Sequence, residues 1–282
     1  MNETYIRLPC GKTKHIDQIT IGDEILIVDP NNEISMSYTV TYIRHCKGYR
    51  INGIPVGDHV LTDKGIIPTS SILYGDKIYR MPYIPPTKPI PITVDPYCLG
   101  VCIYRNVDPD TSTLRYVPDT LRSVYMVDAF NFIGGSYIAL SRYFKGYYPF
   151  MIEGKIPKDI LYAPLSDLLC FKKGLFDVIS RYDKTTDTYT IQTDDAKLLS
   201  MLEIICARTL CSCHVNQIDV EISSLESVYS YWIIRIQKDD MVITVKTINT
   251  PHVNNVHDTV DIGGGNMVCT ANGVPIQYKL LK

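Results

Sequence analysis

One apolar stretch with a glycine in its middle constrains the fold of this chain most: CFKKGLFDVISRYD, at positions 170 to 183. It follows KIPKDILYAPLSDLLCF (155 to 171) and precedes TDTYTIQT (186 to 193), in which polar and apolar residues alternate as in a strand. An apolar-periodic segment, DDAKLLSMLEIICARTL (194 to 210), comes next. This succession predicts a helix, a strand and a packing helix.

Two segments of the sequence share a helical signature. KGLFDVIS (173 to 180) resembles the second signature helix of the LAGLIDADG homing endonucleases, in the form usual inside inteins, and LGVCIYRN (99 to 106) is similar to the first. The resemblance implies two helices packed side by side at a pseudo-twofold axis through Gly100 and Gly174. It also implies that each helix ends in a carboxylate, and that the pair holds divalent cations that activate water.

Both carboxylate positions of that pattern are altered here. They fall at Arg105 and Ile179, and neither a guanidinium nor an isoleucine supplies an acceptor. The small residues that follow are replaced by Asn106 and Ser180, while Asp177 corresponds to the earlier, helix-capping aspartate of the family. The sequence therefore predicts an endonuclease fold without catalytic residues or metal. Magnesium would be required only if other acids replaced the lost pair.

The first ninety residues resemble another family. Short strand-like segments alternate with turns, which predicts an all-β domain. IDQITIGDEILIVD (16 to 29), IPVGDHVLTDKG (54 to 65) and SSILYGDKI (70 to 78) resemble blocks of the Hint domain that inteins share with hedgehog autoprocessing proteins. Near the other end, VHDTV (256 to 260) and TANGV (270 to 274) are similar to its C-terminal blocks.

The predicted fold is α+β in class and has two domains. A Hint-type β-domain is formed by two sequence pieces, 1–90 and 246–282, and a pseudo-twofold LAGLIDADG-type α/β domain at 91–245 is inserted between them. A proline-rich segment at 82–96 is expected to be an extended linker where the insert begins, since proline fixes φ and cannot donate to a ladder.

The splicing chemistry of inteins is also altered position by position. No Cys or Ser precedes the opening strand, and Cys10 follows it, so Cys10 is expected to be an ordinary cysteine. The threonine of the T-x-x-H block falls on Val56, although His59 remains. At the C-terminus, Gln277 could serve as the cyclising amide only with a one-residue gap. Splicing is predicted to be lost, and His59 to be a structural residue.

Two further clusters of residues could each bind a metal ion or have a purely structural role. Cys206, Cys211, Cys213 and His214 could bind zinc, but their spacing matches no common module, which favours core and turn cysteines. Asp108 and Asp110 could stand in for the first lost carboxylate, or form a solvated turn.

DNA contact, if retained, is expected on strand faces. Alternation within 111–116 points Thr113 and Arg115 outward and Leu114 and Tyr116 inward. Within 187–192 it points Tyr189 and Ile191 inward, and the outward set is Thr188, Thr190 and Gln192. Such polar faces suit a DNA groove, and they equally suit water.

Composition limits the functional classes. The chain has 282 residues and a formal charge of −2, and positions 95 to 240 hold 15 Lys and Arg against 19 Asp and Glu, which argues against tight binding along a duplex. No apolar run reaches membrane-spanning length and no signal peptide is recognisable, so no membrane is expected.

Nine cysteines, an odd number without regular spacing, favour a reducing intracellular compartment, cytoplasmic or nuclear. Many Tyr, Ile and Asn residues are typical of AT-rich coding, such as large DNA viruses carry.

Three functions remain compatible with the sequence. The first is a monomeric, non-catalytic protein derived from an intein that binds double-stranded DNA or a protein complex. The second is an active LAGLIDADG endonuclease with displaced carboxylates and magnesium. The third is a residual Hint autoprocessing element.

Overall fold

The computed structural model describes residues 4–29, 34–46, 49–106, 115–116, 143–222, 227–249, 259–261, 267–268, 270 and 274. The chain divides into two compact units, one made of Met1–Thr87 with Asp239–Lys282 and the other of Lys88–Lys238. The domain boundaries predicted from the sequence were 90/91 and 245/246. Antiparallel strands make up most of the first unit, and the second combines antiparallel strands with α-helices, which confirms the α+β class.

The elements follow the chain in three groups. The first piece contains β1 (Tyr5–Arg7), β2 (Thr13–His15), β3 (Glu24–Asp29), β4 (Ile34–Thr39), β5 (Arg44–Cys46), β6 (Tyr49–Ile51), β7 (Ile54–Val56), β8 (His59–Thr62), β9 (Gly65–Pro68) and β10 (Lys77–Tyr79). The middle contains α1 (Pro96–Ile103), α2 (Tyr148–Glu153), α3 (Leu165–Ile179), β11 (Ser180–Asp183), β12 (Thr188–Thr193), α4 (Ala196–Arg208), β13 (Cys211–Ile222) and β14 (Ser227–Lys238). The last piece contains β15 (Val242–Thr244), β16 (Ile248–Asn249), β17 (Thr259–Asp261) and β18 (Met267–Val268). Short 3-10 helices lie at Ile16–Gln18, Thr69–Ser71, Lys145–Tyr147 and Lys158–Tyr162.

The first unit is held together by pairing between its two sequence pieces. Each strand of the last piece pairs antiparallel with a strand of the first: β15 with β10, β16 with β6, β17 with β5 and β18 with β3. Two buried apolar clusters also combine both pieces. One includes Ile6, Ile25 and Val268, and the other includes Val60 and Val245. The two pieces therefore form one domain core.

Two Gly-Asp turns in the first unit have the same hydrogen bonds. In each, the glycine adopts a left-handed backbone, with φ of 95° and 90°. The Asp23 carboxylate accepts from the backbone N–H of Thr20 at 2.7 Å, and the Asp76 carboxylate accepts from that of Leu73 at 2.8 Å. Glycine followed by aspartate is required because the first residue needs positive φ and the second must cap the turn.

In contrast to the extended linker expected from the sequence, the start of the proline-rich segment packs within the first unit. Met81 and Tyr83 are buried, and the Tyr83 hydroxyl donates to the Pro9 carbonyl at 2.8 Å. Ile84 accepts a hydrogen bond from Ser35. The alternating apolar residues between the prolines anchor this segment, because prolines that lack N–H groups still permit side chains to be buried.

The second unit combines a helix pair with an antiparallel sheet of order β11-β12-β14-β13. Asp195 caps the first turn of α4 by accepting from the N–H groups of Lys197 at 2.8 Å and Leu198 at 3.3 Å. The predicted strand at 186–193 and helix at 194–210 correspond to β12 and α4. None of the helices in the described part of the chain is long and apolar enough to cross a membrane.

The predicted inward position of Tyr116 is wrong. The residue is 52% exposed, and the Asn106 side chain holds its backbone. The Asn106 amide donates to the Tyr116 carbonyl at 2.8 Å and accepts from the Tyr116 N–H at 2.9 Å. Once a side chain supplies both backbone hydrogen bonds, alternation no longer determines which way residue 116 faces.

Candidate functional site

Two helices of the second unit pack with their backbones in contact. A Cβ on Gly100 of α1 would lie 2.2 Å from the carbonyl oxygen of Phe171 in α3. A Cβ on Gly174 of α3 would lie 2.1 Å from the carbonyl oxygen of Tyr97 in α1. Each glycine therefore makes room for the other helix, and the close approach predicted for Gly100 and Gly174 is present.

A hydrogen bond joins the same two helices near the C-terminal end of α3. The Tyr97 hydroxyl donates to the Asp177 carboxylate at 2.7 Å. This carboxylate is half-buried, and a donor from the opposite helix holds it in place. Asp177 therefore has a role in fixing the helix pair.

The helix ends carry no acid at the two positions where the resemblance expects one. Ile179 is the last residue of α3 and is half-buried. Arg105 follows α1 with φ of 50°, and its side chain is 58% exposed. Its Nη1 lies 3.5 Å from Asp194 Oδ1, an exposed ion pair of the kind that contributes little to stability.

Two acids contact the residues that follow α1, and both have further partners. Asp194 pairs with Arg105 and also accepts from the Tyr229 hydroxyl at 3.3 Å. Asp195 caps α4 and accepts from the Tyr104 hydroxyl at 3.4 Å, and burial raises the pKa of Tyr104. Within the described ranges, no three His, Cys, Asp or Glu side chains are grouped so that they could hold a metal ion. Arg105 and Ile179, the two positions of the family pattern, supply no oxygen ligand for a divalent cation.

One face of the four-stranded sheet presents a row of polar and basic side chains. Strand register places Arg181 opposite Thr190, Thr190 opposite Arg235, and Arg235 opposite His214. Opposite residues in neighbouring strands point to the same side of a sheet, so these four side chains, the basic row, share one face. Both arginines and the histidine are exposed.

The predicted outward residues of β12 belong to this face. Thr190 is part of the basic row, and Gln192 lies in the next row, opposite Ile233, which in turn faces Asn216. Thr188 lies opposite Gln237 on the far side of the basic row. Gln192 is exposed and the two threonines are half-buried, while Ile191 is fully buried on the opposite face.

Of the site residues predicted in the first half of the endonuclease-like segment, the structure describes only some. Thr113, Asp108 and Asp110 lie outside the described residues. Arg115 is exposed, and its N–H donates to the Asn106 carbonyl at 2.8 Å. These observations do not bring Arg115 together with the sheet face.

Arg181 and Arg235 were not singled out from the sequence, and His214 was considered only as a possible zinc ligand. They come from three strands, and only the register of β11, β12, β14 and β13 brings them together. Alternation of polar and apolar residues in RIQ (235 to 237) was the one available signal. The partner of each residue could not be inferred from it.

Beside the polar part of the face lies an aromatic pair. The rings of Tyr229 and Tyr231 have centroids 6.1 Å apart and planes inclined by 30°. The two residues are spaced by two in β14, on the same side as Ile233 and Arg235, and Tyr229 is 45% exposed. We call Tyr229 and Tyr231 the tyrosine pair.

The cysteine cluster lies on the opposite face of the same sheet. Lys172 Nζ lies 3.3 Å from Cys211 Sγ and 3.0 Å from Thr209 Oγ1. A hydrogen bond with Cys213, together with burial, raises the pKa of Cys206. His214 follows Cys213 in a strand and points to the other side, which is why these residues do not converge on a zinc ion.

In the first unit, the residues considered for splicing differ in how deeply they are buried. Val56 lies in the core at 1% exposure, and Cys10 is exposed in the turn after β1. His59 begins β8, and its buried Nδ1 has no hydrogen-bond partner among the residues that the structure describes. Gln277 lies outside them.

Comparison with known proteins gives a limited result. No protein-family model matches the sequence, and no similar curated protein is found. A solved structure with similarity is the solution structure of a bacterial intein-like domain from Clostridium thermocellum, at 24% identity and a TM-score of 0.23. The match covers 28% of this chain and 63% of that domain, less than two thirds of its length. It amounts to a weak intein-like similarity.

Proposed function

We propose that this protein is a non-catalytic derivative of an intein with an inserted LAGLIDADG endonuclease, and that it binds nucleic acid through the sheet of its second unit. The observation that carries the proposal is the reciprocal packing of Gly100 and Gly174 between two helices. These helices lead to Arg105 and Ile179, where the family pattern requires acids.

The chemistry of these side chains favours binding without cleavage. A guanidinium carries a permanent positive charge and five donors, so Arg105 can contact a phosphate but cannot activate water. Asp194 and Asp195 are each committed to other partners. No cleavage step can be assigned to this arrangement.

The outward face of the sheet supports nucleic acid as the partner. Arg181 and Arg235 are exposed and supply charge for phosphates, while Gln192 and Asn216 supply amides for base edges. Because the chain as a whole carries a formal charge of −2, the affinity is expected to be moderate and to fall steeply with salt.

The proposal is tested by fluorescence anisotropy with labelled oligonucleotides, of mixed sequence and in single- and double-stranded form, over a range of salt concentrations. Replacing both arginines (Arg181→Gln with Arg235→Gln) should weaken binding and reduce the slope of log K against log salt by about 2. The matched control removes two exposed charges from the helices of the second unit (Lys158→Gln with Lys197→Gln) and should leave both quantities nearly unchanged.

Two outcomes would contradict the proposal. Cleavage of a plasmid in the presence of magnesium, abolished by EDTA, would show an active nuclease. Equal loss of affinity in the arginine and lysine variants would show that the sheet face is not the binding surface.

A further inference from the structure

From the basic row beside the tyrosine pair we infer that this face takes single-stranded nucleic acid in preference to a duplex. The inference rests on the proposed function and specifies its substrate.

The basic row provides a track for one sugar-phosphate backbone. Its four residues stand in four successive strands, so the row is about 14 Å long at the usual strand spacing of about 4.8 Å. The positive charges of Arg181 and Arg235 lie on one line across the strands. A duplex groove instead presents two backbones, with phosphates on both sides of the base edges.

The tyrosine pair provides a surface for bases that are not stacked on each other. Tyr231 and Tyr229 stand opposite Ile218 and Val220, so this end of the face is aromatic and apolar. Tyr229 and Val220 are 45% and 42% exposed. Bases inside a duplex offer only their edges, whereas unpaired bases offer flat faces that stack on tyrosine.

The distance between the two parts suits a short strand. Tyr231 is four residues from Arg235 along β14, which corresponds to about 13 Å. Between them lie the amides of Gln192 and Asn216, on either side of Ile233. A strand whose phosphates follow the basic row can therefore direct its bases past two amides toward the tyrosine pair.

The charge at the aromatic end disfavours a second backbone. Tyr229 donates to Asp194, and Asp194 is balanced by Arg105 at 3.5 Å. This end of the face therefore has no excess positive charge to attract further phosphates. The hydroxyl contact also orients the Tyr229 ring before any strand binds.

The experiment compares a 12-nucleotide oligothymidine with a 12-base-pair duplex, binding to the full chain in one buffer. We expect the single strand to bind at least about tenfold more tightly, since each base stacked on an aromatic ring contributes strongly. Replacing both rings (Tyr229→Leu with Tyr231→Leu) should weaken single-strand binding about tenfold or more and leave duplex binding unchanged. The variant that keeps the rings (Tyr229→Phe with Tyr231→Phe) should retain single-strand affinity.

Each other outcome has a distinct meaning. Duplex binding as tight as single-strand binding overturns this inference and leaves the proposed function standing. Equal loss in the Leu and Phe variants, with unchanged thermal melts, overturns the stacking role of the rings. Absence of binding to either oligonucleotide overturns the proposed function, and the inference with it.

Discussion

Individual cysteines of this chain differ sharply in their surroundings. Cys98 and Cys102 lie buried on α1, and desolvation raises the pKa of Cys98 to about 12 and raises that of Cys102 even more. Cys10 and Cys170 are exposed. Because the thiolate is the reactive form, burial should decide which cysteines react.

Alkylation with iodoacetamide at pH 8 should reveal this order. Cys10 and Cys170 should be modified first, while Cys98 should react only after denaturation, since pH 8 lies far below its pKa of about 12. Peptide mass spectrometry at successive times measures each site separately. Modification of Cys98 at the rate of Cys170 in the native protein would contradict the buried position of α1.

The residue types at the two motif positions, 105 and 179, were readable from the sequence, because a motif fixes residue types at set distances. Finding an arginine at 105 and an isoleucine at 179 required no coordinates. The environment of Tyr116 was not readable, since it depends on a hydrogen bond from Asn106, ten residues away. Local alternation predicts a direction only where a strand partner supplies the backbone hydrogen bonds.

Among the elements of the second unit, α1 and α3 pack with their backbones in contact. Backbone contact at both glycines brings the helices closer than side chains would allow. The hydrogen bond between Tyr97 and Asp177 also joins the two helices. Any added atom at this contact must displace main chain, which interiors tolerate poorly.

The Gly174→Ala substitution should therefore lower the free energy of unfolding by at least about 2 kcal/mol, because overpacking a closed contact forces the backbones apart. Urea denaturation followed by circular dichroism measures the change. Gly146→Ala serves as the control, since a Cβ there would meet nothing within 4 Å, and it should be neutral or slightly stabilising. Equal effects of the two substitutions would contradict the close approach of the helices.

Strand positions were predicted better than strand lengths and pairings. The sequence predicted strands at 215–224 and 229–237, and both are present in β13 and β14, yet β13 begins earlier, at Cys211. The sequence predicts a core or turn position for Cys211, or a zinc site that includes His214, whereas both residues lie within β13 and pair with Lys238 and Arg235. Pairing over a long hairpin adds backbone hydrogen bonds at each step, and local sequence gives no measure of that gain.

At the scale of the whole molecule, one unit is interrupted by the other. Arg80 and the region around residue 241 approach each other where the second unit departs and returns. The Arg80 N–H donates to the Met241 carbonyl at 2.8 Å, and its guanidinium pairs with Asp239 at 3.0 Å. The division into two pieces around an insert was predictable from the order of motifs, whereas the pairing of β10 with β15 required the structure.

Removing residues 88–238 and joining the flanks through a short Gly-Ser linker should leave a folded β-domain. The closure entropy of a short loop is no greater than that of the long insert, and β10 and β15 can still pair. Dispersed amide signals in a proton-nitrogen NMR spectrum would support this expectation. A collapsed spectrum, with the isolated segment 88–238 equally unfolded, would show that the units depend on each other.

The reciprocal glycine contact has one consequence for how such a molecule can change over generations. An alanine at position 100 or 174 would collide with a peptide oxygen, an atom that all twenty amino acids carry. No compensating exchange at Tyr97 or Phe171 could relieve the collision. By contrast, the Arg105 side chain is 58% exposed and Ile179 is half-buried, and neither meets the other helix through a peptide oxygen as the glycines do. Position 105 can therefore change one substitution at a time, while the two glycines are held by main-chain atoms that no substitution removes.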